Sequence, residues 1–200
     1  MNVVSLFPEV RKTHFLGSAL LLLIAGIPVA QAQSSAEKAF LSGGRIELQL
    51  EAGDYEVKPS ADNTIRVNCS GTDSGQVRVT VNINGSHADV HVANTPNNNF
   101  HTTIEIPSTS DLTIRLTAGD LRIGAITGNK DISLRAGDLD VRIDNPDDYA
   151  RVEASVKAGD VNASAFGGSV SGLFRTFRWT GKGKYTLKAH LIAGDVNLRK

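Results

Sequence analysis

From Arg45 onward the chain alternates apolar and polar residues in short runs. Ile46, Leu48 and Leu50 face one way, with Arg45, Glu47, Gln49 and Glu51 opposed. Val77, Val79, Val81 and Ile83 repeat the pattern against Arg78, Thr80 and Asn82. A period of two marks half-buried β-strands. The same spacing returns in Leu112/Ile114/Leu116, Leu121/Ile123, Ile132/Leu134, Leu139/Val141/Ile143 and Val152/Ala154/Val156, which would stack as inward aliphatic ladders. Asn84-Gly85 predicts a two-residue hairpin turn with Ser86 to Ala93 as the return strand. In that register Asn82 faces His87, Thr80 faces Asp89 and Arg78 faces His91. Residues 94–99 read as a polar loop, and Pro107 ends the strand that follows, because proline cannot donate into a ladder. Residues 33–43 lack the alternation and form a lead-in segment, in which Ala36 to Leu41 is the one helix-friendly run.

The turns carry their own pattern. Ala-Gly-Asp occurs at 52–54, 118–120, 136–138, 158–160 and 193–195, each time followed by an apolar residue and then a polar one. Glycine supplies a positive-φ bend, and the Asp carboxylate can accept backbone amides at the start of the next strand. The pairs Gly53-Asp54, Gly119-Asp120, Gly137-Asp138, Gly159-Asp160 and Gly194-Asp195 are therefore predicted structural turns. From Asp120 the intervals are 18, 22 and 35 residues. The first two suit single coils of a β-solenoid, and the last must hold an extra strand or strand pair. The 66 residues between Asp54 and Asp120 depart from a clean repeat. The expected architecture is all-β: one β-solenoid, a β-helix-like stack of short strands over residues 44–200, with an N-terminal hairpin region.

A Gly-Asp-apolar-polar-apolar repeat behind an export signal, an Ile-Pro strand end at Ile106-Pro107, and the closing run Ile192-Ala193-Gly194-Asp195-Val196-Asn197-Leu198 together resemble the bacterial "putative adhesin" β-solenoid family. That family is related to head-type autotransporter-adhesin-like domains of unknown function. The resemblance covers most of residues 44–200. It implies a β-helix-like fold and placement at the cell envelope or surface, and it brings no catalytic residues with it.

Arg11 and Lys12, the apolar run from Phe15 to Ile27 and Ala30-Gln31-Ala32 form the pattern of a cleavable signal peptide over residues 1–32. The mature protein is expected to be exported, either periplasmic or secreted and at the cell surface, with no transmembrane segment. Removing residues 1–32 from 200 leaves 168, the length of one domain. With 21 basic and 21 acidic residues overall, the chain lacks the strongly basic balance of a nucleic-acid binder. Cys69 is the single cysteine, so no intrachain disulfide forms. Alternation places Cys69 on the inward face as a small buried residue.

Chemistry-bearing motifs are few. His87, Asp89 and His91 lie on one strand face, but strand rise separates the two histidines by roughly 13–14 Å, too far for one ion. His101 or Glu105 on the next strand could complete a zinc or copper site, so no metal site and no cofactor is assigned from sequence. Asp144-Asn145-Pro146-Asp147-Asp148 reads as an acidic exposed turn. The segment 172–185 gathers Phe174, Arg175, Phe177, Arg178, Trp179, Lys182, Lys184 and Tyr185, read either as a hairpin capping the open end of the solenoid or as a binding patch. No nucleophile elbow, zinc-protease helix or nucleotide loop is present, and no catalytic residue is assigned. The reading is a non-catalytic exported module for binding or adhesion. A cell-surface glycan, a lipid headgroup or an envelope protein is the candidate partner. A self-assembling envelope subunit is the first alternative, and a polysaccharide-active enzyme the second.

Overall fold

The computed structural model describes residues 34–71, 74–96 and 99–200, so the expected signal peptide lies outside the described residues. Inward aliphatic side chains can be covered only by a second layer, and the chain supplies it by folding each coil into two walls. The first wall takes β6 (His87–Ala93), β2 (Arg45–Leu50), β8 (Asp111–Ala118), β10 (Lys130–Ala136), β14 (Tyr185–Ala193) and the first half of β12 (Tyr149–Ala163). All six run parallel in that order. The second wall takes β7 (Phe100–Pro107), β3 (Asp54–Ser60), β9 (Leu121–Ile123), β11 (Leu139–Arg142), β15 (Val196–Arg199) and the second half of β12, again parallel. Five of the six coils turn from one wall to the other at an Ala-Gly-Asp corner; the coil β6/β7 has none.

The coils do not stack in chain order. The coil β6/β7 lies outside β2/β3, which precedes it in sequence. The last coil of the chain, β14/β15, is slotted between β10/β11 and β12. Antiparallel strands close both ends: β5 (Arg78–Asn84) on β6, β4 (Thr64–Gly71) on β7, β1 (Ser35–Ala39) on β4, and β13 (Gly168–Thr180) along both halves of β12. β13 is the extra strand that the 35-residue interval required.

Register turns the alternation into ladders. One inward row reads Val90, Leu48, Ile114, Ile132, Ala189, Ala154 and Phe177. Its counterpart in the second wall reads Val67, Ile104, Val57, Ile123, Val141 and Leu198. Nearly all of these are fully buried, and each large aliphatic contributes about 1.5–3 kcal/mol by leaving water.

Two expectations are corrected. Residues 35–39 form a strand, not a helix, because their backbone pairs with β4 from Ser35↔Asn68 to Ala39↔Thr64. The hairpin turns on Gly85-Ser86, not on Asn84-Gly85, with Asn84↔His87 as the closing pair. Asn82 then faces Asp89 and Thr80 faces His91, while Arg78 lies opposite Ala93. The inward set Val79, Val81 and Ile83 stays on its face, since the slip is two residues in the pair sum.

Candidate functional site

The corners form a continuous hydrogen-bonded column. Asp54 accepts the amide of Asp120 (3.3 Å), Asp120 that of Asp138 (3.1 Å), Asp138 that of Asp195 (2.9 Å), and Asp195 that of Asp160 (2.8 Å). Asp160 in turn accepts the amide of Gly172 in the end strand (3.2 Å). Backbone donors therefore offset the repulsion between stacked carboxylates. The glycines stack equally closely. Gly194 has φ +126°, and a Cβ there would collide with the carbonyl oxygen of Gly137. Gly53, Gly119, Gly137 and Gly159 have positive φ as well.

The outer face of the first wall holds an open groove of about 530 Å³. One cross-strand row in it reads His91, Gln49, Arg115, Ser133 and His190, with Ser155 continuing beyond. Glu51, Thr117, Arg135 and Ile192 flank it toward the corners. Arg115 donates to Asp131 at 3.0 Å, and Ser155 Oγ lies 2.9 Å from His190 Nδ1. Among the described residues no carboxylate hydrogen-bonds to His190. Ile192 is 40% exposed and supplies an apolar rib among hydrogen-bonding groups. The slotted coil creates this face: Ser133 meets His190 only because β14 lies beside β10.

Beside the groove, Glu47, His87 and Asp89 converge. Asp89 is the cross-strand partner of Glu47, and His87 Nε2 lies 3.0 Å from Asp89 Oδ1. One ligand atom from each of the three lies within 4.8 Å of the others. His91 is not part of this group and lies in the groove row.

The eight residues singled out in 172–185 do not form one face. Phe177 and Trp179 turn inward opposite Ala154 and Val152 and pack on the core, with Trp179 4.9 Å from Phe166 between ring centroids. They close the end of the stack, as a cap must. Phe174 and Arg175 lie near the Gly159 corner, where Phe174 is 77% exposed and adopts φ +52°. Arg178 lies on the outer side, 3.2 Å from Glu153. Lys182, Lys184 and Tyr185 lie at the opposite end of β12, where Lys184 Nζ stands 4.6 Å from the Tyr185 ring centroid.

Interior polar groups are few. Lys130 occupies an inward ladder position between Leu112 and Leu187 and is 1% exposed. Its ammonium donates to the carbonyls of Ile126 (2.6 Å) and Gly128 (3.2 Å) and to the Tyr149 hydroxyl (2.9 Å). Burial pulls its pKa down to about 8 against weaker support from Asp111 and Asp144. Cys69 lies in a second-wall row with Thr102 and Tyr55. Burial pushes its thiol up, while a 3.5 Å contact from the Thr102 hydroxyl works the other way, an environment unlike that of a reactive thiolate.

The groove was not singled out from sequence. Parity along each strand marks Gln49, Arg115, Ser133 and His190 as outward, but their adjacency depends on coil order. The inward position of Lys130 was legible, two residues before Ile132.

Residues 80–199 match the family model described as Toastrack DUF4097. No curated protein matches the chain. Among solved structures, a "putative cell adhesion protein" from Clostridium sporogenes has a TM-score of 0.51 at 13% identity, covering 82% of this chain and 98% of that one. A "putative adhesin" from Bacteroides fragilis has a TM-score of 0.30 at 9% identity, covering 82% and 95%. The first of these likenesses is one of fold.

Proposed function

The chain belongs to the Toastrack DUF4097 family, and from that premise we propose that it is an exported, non-catalytic adhesion-type module binding an extended polar ligand along the outer face of its first wall. The single observation that carries this reading is the groove, with hydrogen-bonding and charged side chains held in register on hydrogen-bonded strands. Such a face costs little conformational entropy on binding, because the strands that present it are fixed on both sides. An open trough lined by Gln49, Arg115, Ser133, Arg135 and His190 suits a chain of hydroxyls and carboxylates better than a compact apolar molecule. A cell-surface glycan is the ligand of that chemistry. The name of the Clostridium sporogenes protein, "putative cell adhesion protein", is in keeping with it.

The test is a glycan array read with the wild-type protein and with Arg115→Ala and His190→Ala. Loss of binding in both supports the groove. Retained binding in both variants, or binding to anionic vesicles alone, contradicts it.

A second reading rests on a separate observation. β13 is an edge strand with Leu173 (66% exposed) and Phe174 (77%) projecting from it, a surface suited to pairing with another copy. Self-assembly through that edge would make the apparent mass rise with protein concentration in sedimentation, and Phe174→Asp would abolish the rise.

A further inference from the structure

We propose that Glu47, His87 and Asp89 form a binding site for one borderline divalent transition-metal ion of the Zn²⁺ class. Two ligands alternate along one strand and the third lies directly across on its neighbour, so all three project from the same face. Their ligand atoms lie within 4.8 Å of one another, and side-chain rotation would have to close them to the roughly 3.4 Å separation of a tetrahedral site with bonds of about 2.0–2.2 Å. One imidazole nitrogen and two carboxylates suit zinc-like ions. Calcium takes six to eight oxygens, which this surface does not supply.

Electrostatics supplies an independent argument. Glu47 and Asp89 are direct cross-strand partners, and like charges so placed destabilise a sheet. Among the described residues neither carboxylate is bridged by lysine or arginine. Glu47 accepts only the Gln49 amide at 3.2 Å, and Asp89 meets only His87. On the other flank of β6, Asp89 faces Asn82, while Arg78 lies opposite Ala93. A bound cation would remove the repulsion that the register imposes. The scaffold is already rigid, because β6 is hydrogen-bonded to β2 on one side and β5 on the other. Three protein ligands leave coordination positions open to water, as in accessible zinc sites. Glu47 also lines the groove, so the ion would lie at its rim.

The experiment titrates Zn²⁺ alone into the metal-free full chain by calorimetry and follows thermal unfolding with and without the ion. The expected result is one ion per chain and a higher unfolding temperature on addition. Glu47→Gln, His87→Ala and Asp89→Asn should each weaken binding at least tenfold and lose that rise, each judged against its own metal-free unfolding curve. Asp131→Asn, which alters an exposed carboxylate on the same wall, should bind as wild type does. Absence of saturable uptake by the wild type, or uptake of equal affinity in all three variants, overturns the proposal. Either outcome leaves glycan recognition by the groove to be judged by its own array.

Discussion

Asp138 accepts the backbone amide of Asp195 at 2.9 Å, across 57 residues of sequence. That bond records the central feature of the molecule: the last coil of the chain enters the stack beside a coil completed long before it. The corner column passes through it from Asp120 to Asp160 without interruption.

Replacing Asp138 by Ala leaves the Asp195 amide without its acceptor and is expected to cost about 0.5–1.5 kcal/mol. Asp138→Asn keeps an acceptor oxygen and should cost less. Gly194→Ala combines positive φ with a collision on the Gly137 carbonyl and should cost more than either, about 2–4 kcal/mol. Urea unfolding of the three variants checks the order, and equal stabilities would contradict the column.

Lys130 makes stability depend on pH in a definite direction. Its folded-state pKa, about 8, lies below the ordinary lysine value of 10.5. Between those values the unfolded chain binds more protons, so stability rises as pH increases from 8 toward 10. Above that, burial has raised the Tyr55 and Tyr149 hydroxyls, so the unfolded chain loses their protons first and stability falls. Denaturant unfolding across pH 7–11 should show this maximum. Lys130→Met should remove the rise and leave the fall.

The end cap separates structural from exposed aromatics. Phe177→Ala and Trp179→Ala uncover the last ladder positions, Ala154 and Val152, and should each destabilise by about 2–4 kcal/mol. Phe174→Gly removes a side chain that is 77% exposed and relieves φ +52°, so its stability should match or exceed the wild type. Thermal unfolding of the three variants decides this.

The legible part of the sequence is the part with local cause. Alternation in Ile46/Leu48/Leu50 or Ile132/Leu134 follows from burial of one strand face, and Gly-Asp corners follow from what a tight bend demands. Lys130 was legible by the same parity, though its charge disguised it. What escaped was the choice among equivalent edges. The free side of β10 would accept β12 or β14 with the same backbone bonds, so no local signal brings His190 to Ser133 or assembles the groove. His87 and Asp89 were visible in the sequence as one strand face, but their neighbour Glu47 was not, because it comes from a coil 40 residues before His87. The shift of the hairpin to Gly85-Ser86 slid Arg78 along the polar face, from the position opposite His91 to the one opposite Ala93, a displacement that the Asn-Gly signal concealed. Ser35–Ala39 carries no clear alternation because it is mostly exposed and its place is set by backbone pairing on β4, with Ala36 alone packing on the core and Glu37 pairing with Arg66 at 3.1 Å.

The slotted coil is tested most directly by cross-linking in a Cys69→Ser background. Ser133 and His190 are register partners on adjacent strands, about 4.8 Å apart, within disulfide reach. Ser133 and Ser155 are separated by β14, at about twice that spacing and beyond reach. The account expects the Ser133→Cys/His190→Cys protein to oxidise to an intramolecular disulfide while Ser133→Cys/Ser155→Cys stays reduced. The opposite pattern would place β12 beside β10 and dissolve both the coil order and the groove built on it.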